Sequence, residues 1–347
     1  MTDKRKKIGI LLLLKSLTRV GIMEQNERRV TSNELRVKDF KISGLLLLYL
    51  VTWYLLPATV VSAEEIKSRA AVVVDAETGR VLYAKDPGRF LMPASTAKLM
   101  TALVVLENAK LSDVVTVSRG AATTAPVKSG LGEGDKVTIE TLLYATLIES
   151  ANDAAVALAE AVAGSEEEFV KLMNRKAAAI GADNTKFINA NGLPGKGQYI
   201  TAYDLSKIMR RVIQSPLLRE ILGTRVTEVS TQSGKTIVIN NTNKLLWSDD
   251  IALGKTGYTR QARHCFVCAG ERKKETIIVA LLGAPSRDLL WKESENLLAF
   301  GSRVMNHQEE PVVYLTKSEY DSAKVSNASY TKKIRAKKSR RKRQDSL

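Results

Sequence analysis

The fold is decided by residues 251–282, which read IALGKTGYTRQARHCFVCAGERKKETIIVALL. Three runs in this stretch are rich in apolar and β-branched residues, namely Ile251–Tyr258, Cys265–Gly270 and Thr276–Leu282. Short polar turns separate the runs, which predicts an antiparallel meander of three strands. Apolar residues then recur at helical spacing from Arg287 to Met305, so we expect a helix to close this part of the chain.

A second β-rich region lies nearer the N-terminus. Ala70–Asp75 and Arg80–Ala84 flank a short turn that contains Gly79, a pattern typical of a hairpin. Between hairpin and meander the pattern is mostly helical, with candidate helices at 96–108, 139–149, 153–163, 166–181, 202–214 and 216–223. We predict an α+β fold in which an antiparallel sheet of about five strands is flanked by helices and receives an inserted helical subdomain. A site in such a fold lies in the cleft between the two parts.

The charge of the 347-residue chain, +16 overall, is concentrated at its two ends. Residues 1–43 hold 11 Lys/Arg against 5 Asp/Glu, residues 311–347 hold 11 against 3, and residues 44–310 hold 31 against 29. A nearly neutral body argues against nucleic acid as a partner. The last segment is predicted to be a disordered basic tail, which either touches an anionic membrane surface or is solvated without a partner.

An apolar run from Gly44 to Val61 follows Lys38 and Lys41 and precedes Ser62-Ala63. This order predicts a basic leader plus a secretory signal peptide over residues 1–63, cleaved after Ala63; an uncleaved N-terminal membrane segment is the alternative. In both cases residue 64 onward lies outside the cytoplasm.

The only cysteines, Cys265 and Cys268, form a C-x-x-C pattern. On a strand, residues three apart point to opposite faces and lie about 10 Å apart, which is too far for a disulfide. No second pair completes a zinc site. We therefore expect two free, buried thiols, and we predict no metal and no cofactor.

Three short motifs carry chemistry. The first is Ser95-Thr96-Ala97-Lys98, in which Ser95 and Lys98 share one face of a helical turn. A Ser hydroxyl needs a neighbouring base, and a Lys can serve if burial, a helix N-terminus and a second cation lower its pKa. As an alternative, Ser95 is simply a helix N-cap.

The second motif is Ser150-Ala151-Asn152, at a corner between two predicted helices. Because Asp153 follows Ser150 by three positions, an ordinary capping box is the alternative interpretation. The same pattern at Thr201 and Asp204 is interpreted as a capping box and nothing more.

The third motif is Lys255-Thr256-Gly257, which lies on the predicted strand Ile251–Tyr258. Alternation places Lys255 and Gly257 on one face and Thr256 on the other. Gly257 leaves room for an extended ligand to pair with the strand, and Lys255 and Thr256 offer a charge and a hydroxyl to a carboxylate.

Together with their flanks, these motifs resemble the serine penicillin-binding proteins, most closely the low-molecular-mass D-alanyl-D-alanine carboxypeptidases. The similarity covers roughly residues 65–310, so 64–310 is predicted to be a DD-peptidase catalytic domain with a DD-peptidase/β-lactamase-like fold. The flanking strings that carry it are P-A-S-T-A-K-L-M from Pro93, G-E-G-D from Gly132, S-A-N-D-A-A from Ser150, N-G-L-P from Asn191 and K-T-G-Y-T from Lys255.

The resemblance implies a mechanism. Ser95 attacks the carbonyl between two D-alanines while Lys98 accepts its proton, and the backbone N–H groups of Ser95 and Tyr258 hold the oxyanion. Ser150 relays a proton to the departing amine, Asn152 holds Lys98 and the substrate amide, and Lys255 and Thr256 bind the terminal carboxylate. Arg287 is a further candidate for that carboxylate. The implied partners are a peptidoglycan stem peptide ending in D-Ala-D-Ala and β-lactams as inhibitors, and the implied location is the cell envelope, in the periplasm or on the outer face of the cytoplasmic membrane.

Other functions remain as alternatives. A class A β-lactamase needs a Glu-held water, and residues 169–219 contain no Glu. An endopeptidase that cuts D-alanyl cross-links, or a transpeptidase, would use the same residues. A non-catalytic wall-binding scaffold would not need the catalytic residues, and the presence of the full set counts against it.

Overall fold

The computed structural model describes residues 65–126, 129–248, 252–272 and 275–314. The predicted leader and signal segment, and the chain beyond residue 314, lie outside the described residues. Within the described ranges, no helix combines the length and apolar character needed to cross a membrane.

Within these described ranges, a mixed sheet of six strands forms the centre of the fold, and two small hairpins accompany it. In chain order the strands are β1 (Ala70–Asp75), β2 (Val81–Lys85), β3 (Val114–Thr116), β4 (Lys136–Thr138), β5 (Val226–Ser230), β6 (Thr236–Asn240), β7 (Ala252–Thr259), β8 (Arg263–Arg272), β9 (Glu275–Ala284) and β10 (Val312–Tyr314). The order in the sheet is β10-β2-β1-β9-β8-β7, so β10 and β7 are its outer strands. The hairpins are β3–β4 and β5–β6.

The described part of the chain holds eight α-helices, and six of them begin after a Ser or Thr that accepts a hydrogen bond from the helix. They are α1 (Lys98–Asn108), α2 (Arg119–Thr123), α3 (Ile139–Tyr144), α4 (Asn152–Ala163), α5 (Glu166–Ala179), α6 (Ala202–Val212), α7 (Pro216–Gly223) and α8 (Arg287–Met305). The two helices without such a cap are α1 and α4, which follow Ala97 and Ala151. These are the helices that begin at Lys98 and Asn152, so the uncapped N-termini coincide with the motif residues.

The predicted hairpin, meander and closing helix are confirmed. Every neighbouring pair in the sheet is antiparallel except β10 with β2, which is parallel. The sheet has six strands rather than about five, because Val312–Tyr314 adds a strand beyond the predicted domain end at residue 310. A three-residue strand shows no measurable alternation, and for the same reason β3 and β4 escaped prediction.

The sheet is buried on both faces. All six residues of β1 are buried, and they alternate between two clusters: Val72 and Val74 pack with the helical subdomain, whereas Ala71 and Val73 pack with α8. Cys265 packs in the cluster with the helical subdomain and Cys268 in the cluster with α8. Both thiols are free and buried, as predicted. Burial raises the pKa of the Cys265 thiol to about 12, so neither oxidation nor metal binding is favoured there.

Candidate active site

Ser95 lies in a tight turn at the start of α1. Residues Ala94–Ala97 form a 3₁₀ turn that continues directly into α1, and Pro93 precedes it. No side chain caps this turn, so Ser95 is not an N-cap. Ala94 has φ = 49°, a backbone conformation that L residues adopt at a cost. A strained residue therefore lies directly before Ser95, as is common beside functional groups.

Lys98 Nζ is held by three partners. It lies 2.9 Å from Ser95 Oγ, 2.7 Å from Asn152 Oδ1 and 2.8 Å from the carbonyl oxygen of Asn191. Two of these partners are pure acceptors. A neutral amine has two N–H bonds and one lone pair, so when both hydrogens point to Asn152 and Asn191, the lone pair is left for the Ser95 hydroxyl proton. The geometry suits a base.

The charge state of Lys98 follows from its surroundings. The side chain is fully buried, and burial lowers its pKa well below the ordinary value, with Lys255 as a second, like-charged cause. The Asp153 carboxylate opposes this shift. Asp153 is itself engaged by the backbone N–H and hydroxyl of Ser129, so it stays fixed near the site without pairing directly with Lys98.

Ser150 occupies a strained corner between two helices. The predicted helix 139–149 is α3 followed by a π-helical turn, Ala145–Glu149, and α4 starts two residues after Ser150. Ser150 itself is buried and left-handed, with φ = 72°. The capping box is not formed here, because Asp153 accepts from Ser129 instead. At Thr201 one half of the predicted capping box is confirmed, with Thr201 Oγ1 accepting from the Asp204 N–H at 3.0 Å. The Asp204 carboxylate accepts instead from the Asn184 N–H and from Lys207 Nζ.

Strand β7 runs directly beside the Ser95 turn. At Gly257 a Cβ atom would lie only 2.9 Å from the Ser95 nitrogen, so a side chain at this position would displace the turn. The alternation is as predicted, with Lys255 and Gly257 buried and Thr256 half-buried. Burial lowers the pKa of Lys255 to about 7. Tyr258 is 58% exposed, and its ring lies 4.5 Å from that of His264.

The three motifs therefore meet at one place. Ser95, Lys98 and Asn152 are joined by hydrogen bonds, Gly257 packs against the Ser95 backbone, and Ser150 is two residues from Asn152. This arrangement can transfer an acyl group through a serine that is activated by a neutral lysine. Among the described residues, no group of three or more His, Cys, Asp or Glu side chains is arranged to hold a metal ion.

Sequence reasoning missed parts of the site that act through the backbone. The Asn191 carbonyl belongs to the string N-G-L-P, which carries the family resemblance but predicts no chemical role by itself. The next residue, Gly192, has φ = 83° and lies so close to the turn that a Cβ would sit 1.9 Å from the Ala94 carbonyl oxygen. Thr242, in the string N-T-N, contacts Thr256 through its hydroxyl at 2.6 Å. In both strings an Asn stands beside a small residue, and this pattern is the available sign of a specially held backbone.

Comparison with known proteins agrees with this geometry. Residues 57–286 match the family described as D-alanyl-D-alanine carboxypeptidase. D-alanyl-D-alanine carboxypeptidase DacF of Bacillus subtilis is 35% identical over 63% of this chain and 58% of its own length. A D-alanyl-D-alanine endopeptidase of Escherichia coli is 30% identical over 73% of this chain and 86% of its own length. The crystal structure of a D-alanyl-D-alanine carboxypeptidase from Mycobacterium tuberculosis superposes with a TM-score of 0.66 at 30% identity, covering 71% of this chain and 95% of that one.

Proposed function

Because the chain belongs to the D-alanyl-D-alanine carboxypeptidase family, we propose that it is a serine hydrolase that removes the terminal D-alanine of peptidoglycan stem peptides. The observation that carries the proposal is the position of Lys98 Nζ, buried and 2.9 Å from Ser95 Oγ, with its two other contacts made to acceptors.

In the first half-reaction, Ser95 Oγ bonds to the carbonyl carbon between the two D-alanines and its proton passes to Lys98. The backbone N–H groups of Ser95 and Tyr258 are proposed to hold the oxyanion. The C–N bond then breaks, and Ser150 relays a proton from the Lys98 ammonium to the departing D-alanine amine, so that both side chains return to their starting protonation. In the second half-reaction, water attacks the ester carbonyl on Ser95 and gives a proton to Lys98. The ester bond then breaks, Lys98 returns the proton to Ser95 Oγ, and the shortened peptide is freed.

Substrate binding is assigned to the motif residues of β7 and α4. Lys255 and Thr256 would bind the terminal carboxylate, Gly257 and Tyr258 would pair with the extended peptide, and Asn152 would bind the substrate amide while holding Lys98. Because β7 is an outer strand of the sheet among the described residues, its free edge can accept such a peptide.

The proposal extends to location and inhibition. Peptidoglycan is reached outside the cytoplasm, which agrees with the predicted export signal of residues 1–63. The predicted basic tail starts too early at residue 311, because Val312–Tyr314 is a strand of the sheet; the basic segment that follows it would approach an anionic membrane surface. A β-lactam would acylate Ser95 and leave the enzyme blocked.

A second candidate activity is cleavage of D-alanyl cross-links. It is favoured by the similarity to an endopeptidase over 86% of that relative's length. The same nucleophile and base would serve, and the two activities differ only in what lies beyond the scissile bond.

The test is release of D-alanine from a peptide ending in D-Ala-D-Ala by the full chain, with Ser95→Ala as the control. Release that disappears in the variant supports the carboxypeptidase. Cleavage of cross-linked dimers without release from the monomer favours the endopeptidase. If the wild-type chain shows neither activity and no labelling by a fluorescent penicillin, the proposal is refuted and a wall-binding scaffold takes its place.

A further inference from the structure

One side chain outside the three motifs contacts the proposed carboxylate site directly. Thr242 lies between β6 and β7, and its Oγ1 is 2.6 Å from Thr256 Oγ1. The two hydroxyls are fourteen residues apart in sequence, and Thr242 and Thr256 are both half-buried. A contact this short is a hydrogen bond in which one hydroxyl donates to the other.

The residues on both sides of Thr242 fix its position. Asn241 Nδ2 donates to the Thr224 carbonyl at 2.8 Å, and Asn241 Oδ1 accepts from the Asn243 N–H at 2.9 Å. Asn243 is fully buried; its Nδ2 donates to the Ala252 carbonyl at 2.7 Å and its Oδ1 accepts from the Leu245 N–H. Two amide side chains are thus committed to holding the backbone on either side of one hydroxyl.

The same residue is tied to the corner that carries Ser150. The Thr242 N–H donates to the Ile148 carbonyl at 3.3 Å, within the π-helical turn that leads to Ser150. Thr242 therefore bridges the Ser150 turn and strand β7 through one backbone bond and one hydroxyl bond. It lies between the two walls of the proposed cleft.

Hydrogen-bond counting shows what this bridge does. A hydroxyl has one hydrogen to donate, and a carboxylate can only accept. If Thr256 donated to Thr242, it would have no hydrogen left for a substrate carboxylate. When a carboxylate is bound, Thr256 donates to it, and the remaining 2.6 Å bond requires Thr242 to donate to Thr256 Oγ1. A hydroxyl that accepts such a bond is also a better donor, because linked hydrogen bonds polarise one another.

We propose that Thr242 is a positioning residue for the substrate carboxylate, orienting the Thr256 hydroxyl so that its hydrogen faces the anion. The inference rests on the proposed function, since it assumes that Thr256 binds the terminal carboxylate. Thr242 acts through Thr256 and does not itself touch the reacting atoms.

The test is a double-mutant cycle on D-alanine release by the full chain, with Thr242→Val, Thr256→Val and the double variant. Valine keeps the shape of threonine and removes the hydroxyl. Thr242→Val is expected to lower kcat/KM roughly two- to tenfold, mainly through KM, as expected for loss of one hydrogen bond. In the Thr256→Val background the same change is expected to have no further effect, because its partner is gone. Thr242→Ser keeps the hydroxyl and is expected to restore kcat/KM.

Two controls separate orientation from general damage. Thr224→Val removes a nearby hydroxyl that donates to the Glu220 carbonyl at 2.9 Å, and it is expected to leave kcat/KM unchanged. A peptide ending in D-Ala-D-Ala carboxamide lacks the anion, so Thr242→Val is expected not to alter its slower cleavage.

Any of three results would overturn the inference. The first is that the losses of kcat/KM in the two single variants add in the double variant. The others are an equal loss of kcat/KM for Thr242→Val on the carboxamide peptide, and an equal loss in Thr224→Val on the normal peptide. If the wild-type chain releases no D-alanine but is labelled by penicillin, the same cycle is measured on the labelling rate, since penicillin also has a carboxylate. A wild-type chain that neither releases nor is labelled refutes the proposed function first, and this inference falls with it.

Discussion

Replacing Gly192 by Ala tests how the active-site lysine is held. Gly192 has φ = 83°, and an added Cβ would lie 1.9 Å from the Ala94 carbonyl oxygen and 2.5 Å from its carbon. A carbon–oxygen contact needs about 3.3 Å, so the two segments would have to separate by about 1.4 Å. The preceding residue, Asn191, gives its carbonyl to Lys98 Nζ at 2.8 Å, and a separation of that size breaks the bond.

The loop cannot absorb the shift easily, because it is tied on several sides. The Ala190 carbonyl accepts from Thr101 Oγ1 at 2.6 Å, the Ala190 N–H donates to Glu166 at 2.9 Å, and the Gly192 N–H donates to Asn189 Oδ1 at 2.8 Å. We expect Gly192→Ala to slow acylation by penicillin about 100-fold, the cost associated with a misplacement near 1 Å. The free energy of unfolding should fall by about 2–5 kcal/mol, combining backbone strain with the lost contacts.

Gly197→Ala is the matched control. Gly197 lies in the same loop with φ = 89°, but nothing lies within 4 Å of the position its Cβ would take. It should show only the strain of a left-handed residue, about 1–2 kcal/mol, with an ordinary rate of labelling. Labelling rates by fluorescent penicillin and chemical denaturation measure both quantities. Equal labelling rates for the two variants would refute the argument from close approach.

Three further outcomes are expected. In the free enzyme, kcat/KM should fall as the pH rises through about 7, because Lys255 then loses the positive charge that attracts the substrate carboxylate. The Lys255→Arg variant should show this decline only at much higher pH. An unchanged pH profile in that variant would contradict the role assigned to Lys255. Asn152→Ala should slow penicillin labelling about 100-fold, since the freed N–H of Lys98 no longer leaves the lone pair aimed at Ser95. Glu293→Gln should lower the free energy of unfolding by about 1–3 kcal/mol, because the Glu293 carboxylate accepts hydrogen bonds from the backbone N–H groups of Lys67 and Ser68. The rate of penicillin labelling should not change. A change in labelling without a loss of stability would show that the contact has another role.

The sequence predicts those parts of the fold that depend on repeated patterns. Strands β7 to β9 have eight to ten residues each, long enough for their apolar, β-branched runs to stand out, and α8 repeats its apolar face over five turns. Strand β10 and the β3–β4 hairpin have three-residue strands, so their pairing depends on tertiary contacts that a local pattern does not contain. The split of helix 139–149 into an α-helix and a π-helical turn is equally invisible, since neither residue type nor spacing marks it.

For the site, the sequence predicts the residues whose side chains do chemistry and misses the groups that hold them. Ser95, Lys98 and Asn152 are predictable because a nucleophile, a base and an amide need those residue types. The carbonyl that holds Lys98 comes from Asn191, and any residue could supply a carbonyl. Gly192 and Thr242 have roles that appear only when two distant segments meet, so no local motif could define them.

Among the residues that the structure describes, β7 pairs with β8 alone, so its other edge carries a general risk. An outer strand with unpaired backbone groups is open to pairing with another copy of the same chain, the first step of edge-to-edge aggregation. The Ser95 turn lies beside this strand, so close that a Cβ at Gly257 would be only 2.9 Å from the Ser95 nitrogen. A second folded copy would have to approach past this turn, whereas a single extended peptide needs far less room. The turn that carries the proposed nucleophile would therefore also protect the strand from self-pairing.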